Sequence, residues 1–390
     1  MKPLTKLNKM KKILTTLITL ACISTQGQDY QKIHKDLIVV DGHNDVIITS
    51  ILPGKDIAKH VKGEHTDIPR LKEGGVDVQV FAVWSDDKKW KTNAFKHAND
   101  QIDALEKVVA NNTGDIAIAK SVDEIYAIHK SGKIAAVIGI EGGNMIEESL
   151  DNLEKLYNRG ARYLTLTWNY NLSWATAAAL EDKKPIKEQV GLNKKGKEII
   201  KKMNKLGMMV DLSHASKKTF YDVMKVSNKP VLVSHSNAAA ITPHSRNLDD
   251  KQLAVLKKNK GVVGVNFYSG FLDTTYNKRV QDLYLSHFGT VDKTVSISRL
   301  YDKLPNELKL KANAPLSTVI AHINYLVSKV GIDHVAIGSD YDGIESPPQE
   351  LEDVSKFPNL TKALLKEGYS TDDISKIMGL NFLRIMKENE

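Results

Sequence analysis

This chain of 390 residues has one cysteine, Cys22, and it lies in the first thirty residues. Beyond that segment no disulfide, no cysteine–zinc site and no thiolate nucleophile can be built. Membrane-length apolar runs are absent as well. The stretch "ILTTLITLACI", residues 13–23, is too short to span a bilayer. An excess of one charge is also missing. The formal +8 comes from 55 basic and 47 acidic residues, but residues 1–27 hold five lysines and no acid, leaving 50 against 47. No basic stripe with interleaved aromatics appears, which excludes nucleic acid as a partner. No proline- or serine-rich linker divides the chain, so one large domain is expected.

The lysine-rich start, the short apolar run and the small residues of "STQGQ" together have the form of a secretory signal peptide over residues 1–27, cleaved after Gly27. The mature domain is then 28–390. "TLAC" allows a second outcome, a lipid anchor through Cys22. Both place the mature chain outside the cytoplasm, in the periplasm or at the cell surface.

Apolar runs bounded by turn residues predict strands at 37–42, 76–83, 134–140, 162–167, 208–213, 230–234, 261–267 and 334–339. Runs such as "KIAAVIGI" and "GVVGVNF" suit parallel strands buried on both faces. Helical patterns fall between most of them. Gly160 stands where one should stop, and Ser370–Thr371–Asp372 where the last should start. Eight strands alternating with helices predict an α/β fold, a single (β/α)8 TIM-type barrel. The irregular stretch 268–314 after the seventh of these strands is expected to form an inserted lid over the C-terminal mouth.

Against that register the ionisable residues become informative. His43 and Asp45 follow the first strand in "VVDGHNDV" and, two apart, point to one side. Glu141 ends the third strand, His214 the fifth, His235 the sixth and Asp340 the eighth. Taken singly, a histidine after a strand is usually a loop residue, and Glu141 and Asp340 could be helix N-caps. Together, three imidazoles and three carboxylates on one rim would be costly in desolvation and like-charge repulsion without a cation. The set suits zinc, with manganese, cobalt or iron chemically allowed, and it is too large for one tetrahedral ion. Two ions sharing a carboxylate are expected. A second His-x-Asp, His65 and Asp67, precedes Pro69 between strands and is expected to be structural, with Asp67 capping "IPRLKEG". His34, His60, His97, His129, His244, His287, His322 and His334 are expected to be structural too. Asp342 competes with Asp340 for its role.

The segments "DGHNDV", "HTDIPRLKEGGVDVQVFAVW", "GIEGG", "YLTLTW", "VDLSHAS", "SHSNA" with Arg246–Asn247, and "GSDYDG" run in order from residue 41 to 343. On them the chain resembles the membrane (renal) dipeptidase family of zinc peptidases. The resemblance implies His43 and Asp45 as ligands of a first zinc, His214 and His235 of a second, and Glu141 as the bridge. It implies Arg246 as the anchor of the substrate carboxylate, and Asp340 as the acid that handles the proton of the attacking water and contacts substrate. The chain departs from the family at Trp168, where better-known members carry a histidine that touches the substrate carbonyl. Asn144 also stands where histidine is frequent. Trp168 cannot titrate, and its indole N–H only donates.

The expected activity is an exported metallodipeptidase in which two zinc ions lower the pKa of a bridging water and polarise the scissile carbonyl. In that scheme Asp340 relays the proton to the leaving amine. Related hydrolases of a lactone, a β-lactam or another amide, and a binding barrel with a decayed site, are the rivals. A homodimer and a lipid anchor are both compatible with these features, and no transmembrane span is expected.

Overall fold

Strands buried on both faces need helices outside and side chains inside, and the chain supplies both in strict alternation. The computed structural model describes residues 29–183, 190–292 and 294–390; the leader expected over residues 1–27 lies outside them. Eight strands pair in parallel around a ring: β1 (Val40–Asn44), β2 (Val78–Trp84), β4 (Ile134–Glu141), β5 (Ala161–Thr165), β6 (Met209–Asp211), β7 (Leu232–Ser236), β8 (Val262–Val265) and β9 (Val335–Ile337). The short β3 (Ile116–Ile118) pairs beside the first half of β4, on the edge that β5 takes further along. At three residues it is below the length at which apolar alternation can be read, and the sequence analysis has no strand there.

The ring closes where β1 meets β9. Asn44 pairs with Tyr341, Asp45 N donates to Tyr341 O at 2.9 Å, and Asp340 N donates to His43 O at 3.0 Å. Buried Asp41 secures this seam by accepting from Ser339 N at 2.8 Å, Ser339 Oγ at 2.7 Å and Gln79 Nε2 at 3.0 Å. The closure therefore positions His43, Asp45 and Asp340 directly.

One apolar cluster draws a residue from every barrel strand, among them Val40, Val80, Val137, Tyr163, Met209 and Leu232. This is the barrel interior. Phe382, Leu383, Ile385 and Met386 of the C-terminal helix Asn381–Asn389 join it. That helix seals the N-terminal mouth: Asn381 Nδ2 donates to Val335 O at 2.8 Å and Asn389 Nδ2 to Pro230 O at 3.0 Å. Burying each apolar side chain there contributes roughly 1.5–3 kcal/mol. The chain places this apolar plug at the N-terminal mouth and leaves ionisable groups at the other.

Outside the ring the helices carry the signals expected of them. Gly160 caps the helix Leu150–Arg159 with φ 123°, and Ser370 forms a reciprocal capping box with Asp373. Residues 268–314, which follow β8, fold into four short helices: Ser269–Leu272, Tyr276–Phe288, Ile297–Lys303 and Asn306–Ala312. The last three share a small core of Tyr276, Val280, Leu300, Tyr301, Leu304 and Ala312. Among the described residues no helix is long and apolar enough to cross a membrane.

Candidate metal centre

Glu141, the last residue of β4, faces two groups of donors at once. Its Oε2 lies 3.5 Å from His43 Nε2. Its Oε1 lies 3.0 Å from His214 Nε2 and 3.6 Å from His235 Nε2. His43 Nε2 in turn is 3.5 Å from Asp45 Oδ2 and 3.9 Å from Asp340 Oδ1. The six residues expected from sequence therefore converge. One of them sits slightly differently from that reading: His43 lies within the last residues of β1 rather than after the strand.

The residues present fit divalent cations. Donors about 2 Å from a shared cation stand roughly 3–3.5 Å apart, the scale of these separations. His43 Nε2 is fully buried with no hydrogen-bond partner, a costly state unless something else occupies its lone pair. His43, Glu141 and His235 form one group of convergent donors, and His43, Asp45 and Asp340 another.

Each imidazole is held by its other nitrogen. Ser234 Oγ donates to Asp211 Oδ2 at 2.6 Å, which leaves it to accept from His235 Nδ1 at 2.8 Å. Asn169 Oδ1 accepts from His214 Nδ1 at 3.0 Å, and Tyr163 Oη pairs with His43 Nδ1 at 2.7 Å. All three Nε2 atoms are thereby turned to the centre, the arrangement in which neutral histidines bind metals. Gly139 makes this possible beneath His43, because a Cβ there would lie 2.1 Å from the Tyr163 ring. Near Asp45 and Asp340 the chain again has no room: a Cβ on Gly343 would lie 2.1 Å from Asp45 Oδ2. His214 and Asp340 adopt left-handed backbones, φ 63° and 65°, a strain of about 1–3 kcal/mol each that accumulates at functional sites.

The electrostatics show the same tension. Burial lowers the pKa of His214 to about 4, with the Arg246 charge adding to it, and lowers that of His235 well below the usual range, with His43 adding to it. Burial also opposes charge on His43, yet Tyr163, Glu141 and Asp45 outweigh it and raise its pKa. Burial raises Asp45, with Glu141 adding to it, and pushes Asp340 well above the carboxylate range. Glu141 is also opposed by burial, but His43 and His214 hold it below its usual value. The crowded carboxylates thus favour charge on His43, while His214 and His235 are pushed toward their neutral forms. Cations at these points would relieve all of it.

A cavity of about 1070 Å³ opens above the centre. One aromatic group in its wall joins Trp168 to Trp84, with ring centroids 4.9 Å apart, and to Tyr170 at 5.8 Å. Trp168 lies 6.4 Å from the His214 ring, so the residue that departs from the family pattern lines the pocket. Asn144, the other departure, turns instead toward β2, its Nδ2 donating to Ser85 O at 3.4 Å. A second aromatic group surrounds Arg246, whose guanidinium lies 5.5 Å from the Phe271 ring centre. Arg246 is buried, its Nε has no partner, and its Nη2 donates to His235 O at 3.3 Å.

Residues 28–390 match the membrane dipeptidase family, peptidase family M19. The chain belongs to that family. It is similar to dipeptidase tcpJ of Claviceps purpurea, 32% identical over 369 residues, which is 90% of this chain and 76% of that one. An uncharacterised dipeptidase of Schizosaccharomyces pombe is 33% identical over 386 residues, 93% of this chain and 83% of its own. Among solved structures, a metallo peptidase from Rhodobacter sphaeroides liganded with a phosphinate mimic of the dipeptide L-Ala-D-Ala superposes with TM-score 0.73. It is 25% identical, and the match covers 91% of this chain and all of that one. By family the protein is a metallopeptidase and a dipeptidase, built on the barrel the sequence predicts.

Of the residues of this dipeptidase's site, His244 is expected from sequence to be structural and Asn266 is absent from the sequence reading. His244 lines the pocket and its Nδ1 accepts from Arg246 N at 3.1 Å, although as an isolated histidine in "TPHSRN" it gives no signal of its own. Asn266 Nδ2 donates to Asp340 Oδ2 at 2.7 Å and orients it. The other His-x-Asp is structural, as expected: Asp67 caps the helix Ile68–Glu73 by accepting from Arg70 N at 2.9 Å. His65 holds Asp342, whose Oδ1 accepts from His65 N at 2.7 Å. Asp340, not Asp342, joins His43 and Asp45.

Proposed function

We propose that the protein is an exported dipeptidase that binds two zinc ions and cleaves the peptide bond of short substrates with a free C-terminal carboxylate. His43 and Asp45 would hold one ion, His214 and His235 the other, and Glu141 both. Bound there, the ions would supply Lewis acidity and water ionised near neutral pH. The observation that carries this assignment is Glu141, with one oxygen toward each donor pair.

The chain's own groups would do the rest. Arg246, whose Nε has no partner, would grip the substrate carboxylate through parallel hydrogen bonds and so fix the distance to the scissile carbonyl. Asp340, oriented by Asn266 and with its proton affinity raised by burial, the nearby Asp45 and Glu141 carboxylates adding to it, would take the proton from the attacking water and return it to the leaving amine. Trp168 and Trp84 would exclude water on the first residue's side. The lysine-rich leader supports export, and the family match begins at residue 28, where the mature chain would start. A panel of dipeptides, C-terminally amidated dipeptides and lactones tests the assignment. Free dipeptides should be cleaved at least tenfold better than the other two classes. Faster turnover of lactones would favour the related hydrolase instead, a reading that the indole in place of an imidazole motivates.

Trp168 gives a narrower expectation. Aromatic contacts contribute roughly 0.5–1.5 kcal/mol beyond area burial, so Trp168→Ala should weaken kcat/KM for dipeptides with bulky side chains about two- to tenfold more than for small ones. Trp168→His should shift the preference without abolishing hydrolysis. Unchanged selectivity in both variants would remove Trp168 from the substrate.

A further inference from the structure

The wall that holds Arg246 continues to a carboxylate with no cation of its own. Phe271, stacked near Arg246, meets Tyr268 at 4.8 Å between ring centres. Tyr268 Oη donates to Glu345 Oε1 at 3.1 Å. Tyr268, Ser298 and Glu345 all line the substrate cavity. Glu345 is half-buried, and none of the ion pairs among the described residues involves it, whereas Asp302 adds negative charge nearby. Burial first, then Asp302, raise its pKa, which marks a carboxylate short of positive charge. The cavity, at about 1070 Å³, is at the upper end for small-molecule sites and far larger than a dipeptide backbone requires. A long side chain can be accommodated.

We propose that Glu345, with Tyr268 and Ser298, forms a seat for a cationic side chain on the second residue of the dipeptide, so that the enzyme prefers C-terminal lysine or arginine. The second residue is the one concerned because Arg246 would hold its carboxylate, and Glu345 is reached from Arg246 through Phe271 and Tyr268. This rests on the dipeptidase assignment above and extends it to specificity. An ammonium or guanidinium placed here would accept none of the site's hydrogen bonds. It would donate to the Glu345 carboxylate and meet the ring of Tyr268, both favourable to a cation. An acidic side chain would meet Glu345 and Asp302 as like charges.

The zinc-loaded enzyme assayed on Ala-Lys, Ala-norleucine, Ala-Glu and Lys-Ala tests it. Norleucine matches the lysine stem without its charge. kcat/KM for Ala-Lys should exceed that for Ala-norleucine about tenfold, chiefly through KM, with Ala-Glu poorest. Glu345→Gln should reduce the Ala-Lys to Ala-norleucine ratio at least fivefold, Glu345→Asp should retain a preference for Ala-Lys, and Glu345→Lys should reverse the order in favour of Ala-Glu. A wild-type ratio near one, or one that Glu345→Gln leaves intact, overturns the proposal. So does a preference for Lys-Ala equal to that for Ala-Lys. If none of the four is cleaved, the dipeptidase assignment itself falls; cleavage without charge preference overturns the specificity alone.

Discussion

Replacing Glu141 with Gln is expected to cost at least about 10³-fold in kcat/KM on any dipeptide, together with loss of tightly held metal. Loss of a single preorganised electrostatic group at a reacting centre costs roughly 10²–10³, and Glu141 faces both donor pairs, through Oε2 on one side and Oε1 on the other. The neutral amide keeps the volume and turns a donor toward imidazoles whose Nδ1 contacts already orient their Nε2 lone pairs inward. The fold should survive, since the seam between β1 and β9 depends on Asp41 and Ser339 and not on Glu141. Unchanged far-ultraviolet circular dichroism with metal content reduced to one ion or fewer is the expected pair of results. A Glu141→Gln protein that retains two ions per chain and wild-type turnover would remove Glu141 from the bridge.

Arg246→Lys has the second largest expected effect. A hydrogen bond to a charged group contributes roughly 1.5–3 kcal/mol, so losing one arm of a two-bonded carboxylate grip should lower kcat/KM about 10- to 150-fold. Lysine retains the charge but not the planar fork. Arg246 is buried, and burial lowers its pKa to about 10, still high enough to remain charged at neutral pH. The informative comparison is a dipeptide against its C-terminal amide. The parent enzyme should discriminate strongly between them, and Arg246→Lys weakly, with metal content unaltered. Equal discrimination by the two proteins would show that the carboxylate is held elsewhere.

The candidate ligands were legible because strand ends are. A continuous apolar run predicts where a parallel strand lies, its end fixes the mouth of the barrel, and six ionisable residues at such ends stand out against apolar neighbours. The supporting groups were not. Tyr163 lies inside β5 and looks like one more apolar strand residue, yet its hydroxyl holds His43. Asp211 and Ser234 belong to different strands 23 residues apart, and only the pairing of β6 with β7 brings them together under His235. The closure of the ring joins Asp41 to Ser339 across 298 residues, beyond the reach of any local pattern. The segment after β8 could be recognised as irregular and assigned to the C-terminal mouth. Three of its helices bury apolar side chains in a small core of their own, separate from the barrel cluster, so no strand rhythm marks them. Glu345 was invisible for a related reason: its significance lies in the residues from that segment that surround it.

Metal analysis of the purified mature protein, run beside activity on the same preparation, tests the central claim most directly. Two donor pairs, His43 with Asp45 and His214 with His235, on either side of Glu141 predict about two divalent ions per chain, most of them zinc, with activity that falls on chelation and returns as the second equivalent is restored. Full dipeptide turnover at one ion per chain or fewer would contradict the binuclear centre.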